Sequence, residues 1–113
     1  MTTISEFETA LLNSWSLESS TLWTPKTPAA GQCGVTAMVA NDVLGAEVLK
    51  TRYGDIWHFY NRLDGVRYDF TDSQFNEPIA YDDIPSDREE AFGDTNASQY
   101  NYLHNAVVRF LEQ

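Results

Sequence analysis

Asp64-Gly65 lies between two runs of aromatic and β-branched residues, Trp57 to Leu63 and Val66 to Thr71. A two-residue Asp-Gly connection between such runs specifies a tight hairpin, because both turn positions need positive φ and these residues tolerate it. Leu63 then pairs with Val66, Tyr60 with Asp69 and His58 with Thr71. Side chains alternate between the faces of a strand. His58, Tyr60 and Arg62 therefore share a face with Arg67, Asp69 and Thr71, and His58 becomes a diagonal neighbour of Asp69. The other face carries Trp57, Phe59, Val66, Tyr68 and Phe70, an apolar set suited to packing. A slip of one residue would part His58 from Asp69.

The sequence around the hairpin predicts helices. Ile4, Phe7, Leu11, Leu12 and Trp15 recur at spacings of three and four, which predicts a helix over 3–15 with Thr3 or Ser5 as its cap. Residues 16–31, with Thr24-Pro25-Lys26-Thr27-Pro28 and Gly31, read as a long connecting loop. Residues 33–44 predict a second helix, apolar on most of its surface and hence central, with Gly45 as its stop. Residues 46–53 predict a strand, and 72–78 and 82–85 read as irregular. Ser86 and Glu89 form the pattern of a capping box before a short helix. Thr95 or Asn96 then caps a last helix that buries Tyr100, Leu103, Val107, Phe110 and Leu111. A chain of 113 residues holds one core. The expected class is α+β, a single domain over 1–113 with a small antiparallel sheet packed on a central helix.

Seventeen acidic residues face seven basic ones, for a net charge of −10. Between Asp64 and Asp94 there are ten acidic residues and two basic, a local −8. Such a surface repels phosphate backbones and anionic lipid, which argues against nucleic-acid and membrane partners and leaves a peptide or basic protein. No apolar run approaches the ~20 residues of a membrane span, and the N-terminus lacks the basic and apolar regions of a leader. One cysteine cannot form an internal disulfide. These features predict a cytoplasmic protein. No phosphate loop, dinucleotide fingerprint or metal-ligand spacing occurs, so no cofactor is expected. Asp82-Asp83 and Asp87/Glu89/Glu90 lack the spacing of a calcium loop and read as a solvated face.

Chemistry concentrates in Gly31-Gln32-Cys33-Gly34-Val35-Thr36-Ala37, which sets the single cysteine where loop becomes helix. The unpaired N–H groups and positive dipole end of a helix start favour a thiolate, and the thiolate is the nucleophile. His58 is the candidate base and Asp69 the carboxylate that holds its ring. Cys, His and Asp in this order make a thiol-based acyl-transfer site. Gln32 offers an amide to an oxyanion. Trp57, Asn61 and Gln74 complete the candidate lining. Each has a structural alternative: Cys33 as a small buried hydrophobe, His58 as a packed core residue, Asp69 as the partner of Arg62 or Arg67, Asn61 as the closure of a strand edge. Two competing functions stay open: a binding module that grips a basic partner through its acidic segment, and a redox-sensing thiol.

These motifs, with Trp57-His58-Phe59-Tyr60-Asn61-Arg62, Tyr68-Asp69-Phe70-Thr71, Gln74-Phe75 and Arg88-Glu89-Glu90-Ala91-Phe92, resemble the YunG-like family of small, uncharacterised bacterial proteins. The resemblance covers residues from about Trp23 to Leu103. More distantly, Gly31-x-Cys33-x-x-x-Ala37 is similar to the nucleophile segment of the transglutaminase-like and papain-like superfamily, and Cys33, His58 and Asp69 match its order. That likeness implies a papain-like core, with a cysteine opening a helix packed on an antiparallel sheet and His and Asp on successive strands. It implies acyl transfer, by hydrolysis or amide exchange, on a peptide, amide or thioester. The 25 residues from Cys33 to His58 leave room for one helix and one strand.

Overall fold

A computed structural model describes residues 2–113. Helix α1 (Ile4–Ser14) starts at Thr3, whose hydroxyl accepts the Glu6 N–H while the Glu6 carboxylate accepts the Thr3 N–H. This reciprocal capping box satisfies two donors that a helix start leaves unpaired. Helix α2 (Cys33–Leu44) has the predicted bounds and stops at Gly45, where φ is 72°. Glycine adopts that left-handed value without penalty. Every residue from Cys33 to Ala40 is buried. α2 packs on the sheet on one side and on the two later helices on another, which makes it the central helix.

Strands β1 (Glu47–Tyr53), β2 (Ile56–Leu63), β3 (Val66–Tyr68) and β4 (Ile84–Pro85) form one antiparallel sheet in the order β3-β2-β1-β4. Asp64 and Gly65 take φ of 52° and 79°, and Leu63 pairs with Val66, Arg62 with Arg67 and Asn61 with Tyr68. The predicted hairpin register therefore holds.

The structure departs from expectation at three places. β3 ends at Tyr68 rather than Thr71. The Asp69 carboxylate accepts the Thr71 N–H at 3.2 Å, a local turn that outcompetes the ladder, and a 3-10 turn over Asp72–Gln74 follows. Residues 84–85, read as irregular, pair with Lys50 and Leu49 as an edge strand, where a proline is tolerated. Helix α3 (Arg88–Phe92) is capped by Asp87, whose carboxylate accepts the Glu90 N–H at 2.8 Å; the Ser86 hydroxyl donates instead to the Glu90 side chain. The middle of β2 is covered on both faces, since His58, Phe59, Tyr60 and Asn61 are all buried.

The two covers of β2 differ in kind. On the α2 side, Phe59 packs with Cys33, Ala37, Met38, Val48 and Ala91, and the Asn61 amide donates to the Ala37 and Glu47 carbonyls at 3.1 and 3.2 Å. On the other side residues 69–83 form a strap. Tyr60 donates to Asp83 at 2.9 Å, the Thr51 hydroxyl accepts the Asp82 N–H at 3.0 Å, and the Tyr81 ring stands edge-on to Tyr60. Helix α4 (Ala97–Leu111), capped by Asn96, packs on α1 around Phe7, Leu11, Leu103 and Val107.

The strap is pinned by a two-bond pair from Arg67 to Asp83, both at 2.8 Å, which with the Tyr60 hydroxyl holds the Asp83 carboxyl down at about 2. A carboxyl lowered on folding stabilises in full above its unfolded pKa near 4 and loses that contribution as pH falls through its folded value. The gap in melting temperature between wild type and Asp83→Asn is expected to stay constant above about pH 4 and to close by about pH 2. A gap that does not narrow across that window would remove the charge from the strap's stability. Asparagine keeps the local preference for the positive φ of 51° at this position.

Candidate functional site

Cys33 packs beside Phe59 of β2. On the β4 side of β1, the Val48 carbonyl accepts the Ser86 N–H at 2.9 Å. Alternation then turns the backbone groups of Leu49 and Thr51 toward β2, and those of Phe59 toward the outer edge. β3 pairs with β2 only as far as Asn61, so among the described residues no strand lies beside Phe59 on that edge. Helix α2 begins here, with Cys33 as its first residue beside Phe59.

His58 precedes Phe59 and is fully buried. Its Nε2 meets Asp69 Oδ2 at 2.7 Å. Alternation puts the His58 ring on the strap face of β2 with Tyr60, whereas Cys33 packs with Phe59 on the α2 face. The Tyr81 hydroxyl donates to that same Oδ2 at 2.7 Å, and Thr71 occupies Oδ1 through its N–H. Tyr60 and Phe75 flank the ring, at centroid distances of 5.8 and 4.8 Å. Nδ1 is buried and has no hydrogen-bond partner among the described residues. With Nε2–H given to a carboxylate, a neutral imidazole presents Nδ1 as a bare lone pair. Arg62 and Arg67 are engaged by Glu47 and Asp83, so neither is the partner of Asp69.

Cys33 is buried, and its S–H donates to Asp94 Oδ2 at 3.3 Å. The same oxygen accepts the Gly34 N–H at 3.1 Å. Burial and the Asp94 charge push the thiol up to about 12 and outweigh the Phe59 and Gly34 N–H groups, which favour the thiolate. This corrects the expectation of an acidic thiol. The helix start is present, but a carboxylate occupies it. Burial raises the Asp94 carboxyl as well.

Asp94 escaped the sequence reading because it lies 61 residues from Cys33 along the chain. The available signal was Gly34. A glycine in the first turn of a helix marks a close approach of other chain, and here a Cβ would come within 2.7 Å of the Ala91 carbonyl and of the Asp94 side chain.

The remaining candidates have structural partners. Gln32, expected to serve an oxyanion, is fully buried, and its Nε2 donates one hydrogen to the Pro28 carbonyl at 3.3 Å. Gln74 accepts the Gly31 N–H at 3.2 Å and donates to the Thr71 hydroxyl at 3.1 Å. It thereby ties the loop that delivers Cys33 to the turn that holds Asp69. Asn61 joins α2 to the sheet. Trp57 carries Lys50 and Arg52 against its ring, at 4.5 and 4.7 Å from the centroid. With Ile56, Phe59, Glu90 and Asp94 it lines an open recess of about 300 Å³, whose lining includes neither Cys33 nor His58.

A model of the family described as YunG protein matches residues 3–112. The chain belongs to the YunG family. It is 54% identical over 101 residues to the Uncharacterized protein YunG of Bacillus subtilis (strain 168), a match covering 89% of this chain and 88% of that protein. No solved structure matches. None of the matches links this YunG-family chain to transglutaminase-like or papain-like proteins. No helix among the described residues is long and apolar enough to cross a membrane.

Proposed function

We propose that this protein is a cytoplasmic thiol acyl-transfer enzyme on a papain-like core, with Cys33 as nucleophile, His58 as base and Asp69 as the group that orients His58. The observation that carries this reading is the buried imidazole with Nε2 bound by Asp69 and Nδ1 unpartnered. A buried nitrogen without a partner costs about 1–3 kcal/mol, and few native groups accept that cost without a role. It belongs to the residue that precedes Phe59, against which Cys33 packs.

In the proposed reaction Nδ1 takes the thiol proton as sulfur bonds to a substrate carbonyl carbon. The bond from that carbon to its amine, alcohol or thiol then breaks, and the imidazolium returns the proton to the departing atom. Water or an amine attacks the thioester, gives its proton through His58 and frees the thiol. Asp69 keeps the Nε2 proton in place and stabilises the imidazolium, and Tyr81 and Thr71 hold Asp69.

Incubation with p-nitrophenyl acetate tests the assignment. The expected product is Cys33 carrying one acetyl group, located by peptide mass spectrometry. It should be absent in Cys33→Ser and form at least ~100-fold more slowly in folded His58→Ala. Acetylation at other residues, or an unchanged rate in His58→Ala, would refute the triad.

A further inference from the structure

The Asp94 carboxylate binds both groups that an incoming acyl group would need, the Cys33 S–H and the Gly34 N–H. An oxyanion forming beside the sulfur is stabilised by backbone N–H groups at the helix start. A carboxylate oxygen offers the same geometry and charge. Residue 34 has no Cβ to keep such an oxygen away. Asp94 as a whole lies on an exposed turn, with its carboxylate tip turned inward to the thiol. That turn is short: the Asp94 N–H closes on Ala91 and the Thr95 N–H on Phe92, just before the Asn96 cap of α4. Asp94 is also among the residues that line the recess beside Trp57.

We propose that Asp94 is a built-in occupant of the substrate-oxygen seat, which keeps Cys33 latent until the turn at Gly93–Thr95 swings out. The identity of the seat rests on the acyl-transfer reading above. Opening frees the Gly34 N–H for the substrate oxygen and removes a negative charge from beside the sulfur.

Alkylation of Cys33 by iodoacetamide near neutral pH tests this in variants with the wild-type far-UV spectrum. Asp94→Ala is expected to react at least ~10-fold faster than wild type. Asp94→Asn, which keeps an oxygen for the Gly34 N–H, should gain less. Adding His58→Ala to Asp94→Ala should return the rate toward the wild-type level. An Asp94→Ala protein that reacts at the wild-type rate overturns the latch. A fast Asp94→Ala protein that ignores His58→Ala leaves the latch standing and removes the triad. If neither Asp94 variant folds, hydrogen exchange of the wild-type Gly34 amide decides: protection is expected, and free exchange overturns the proposal.

Discussion

At about pH 8, Cys33 of the wild-type protein is expected to react with iodoacetamide at least ~30-fold more slowly than a free cysteine. The thiol is pushed up to about 12 from a reference of 9.0, which cuts its thiolate fraction by roughly a thousand. A more basic thiolate is a better nucleophile, with a Brønsted slope of about 0.4–0.5, and this returns roughly 20–30-fold of that loss. Burial of the sulfur slows access further. Two opposing influences are thus ranked. The N–H groups of Phe59 and Gly34 favour the anion, but desolvation and the Asp94 charge prevail. Competition kinetics against free N-acetylcysteine measure the ratio directly. A Cys33 rate equal to the free thiol's would mean that the sulfur ionises like an ordinary thiol and that Asp94 is not seated on it.

Asp69→Ala is expected to cost about 3 kcal/mol of stability and to lower the melting temperature by roughly 10 °C. The Asp69 side chain is 4% exposed and accepts the His58 Nε2–H and the Tyr81 hydroxyl. Its removal strands both donors. The buried His58 ring, whose Nδ1 already lacks a partner, would then have none at either nitrogen. Asp69→Asn should lose less, because its amide oxygen can still accept one of the two. Urea unfolding monitored by tryptophan fluorescence gives the difference. A cost below about 1 kcal/mol would mean that water repairs the site and that Asp69 does not hold the ring. The same variant should slow acetyl transfer to Cys33 even at temperatures where it is fully folded, since the imidazole loses the partner that fixes its tautomer.

What the sequence disclosed depended on how local each signal was. Asp64-Gly65 dictated its turn, the turn dictated the pairing of Leu63 with Val66, and alternation then brought His58 beside Asp69. The contact exists although β3 stops at Tyr68, because Asp69 needs only to follow the strand's direction for one more residue. The bounds of α2 were equally legible, since Gly45 and the apolar run are read within one segment. β4 was missed because a two-residue edge strand carries no pattern of its own and exists only by pairing with β1. The loop contacts of Gln32 and Gln74 were not legible for a related reason. An amide bonds to whatever backbone the loops bring near it, and loop paths have no periodicity to read.

The chain itself determined the hairpin register, the position of Cys33 at a helix start and the order of Cys, His and Asp, all set by backbone preferences over a few neighbouring residues. Only the folded molecule decided the state of the sulfur. The turn after α3 brings Asp94 onto the first N–H groups of α2, across a gap that glycine leaves open. Ionisation depends on every charge and every layer of hydrocarbon around an atom, and those surroundings come from segments far apart in sequence.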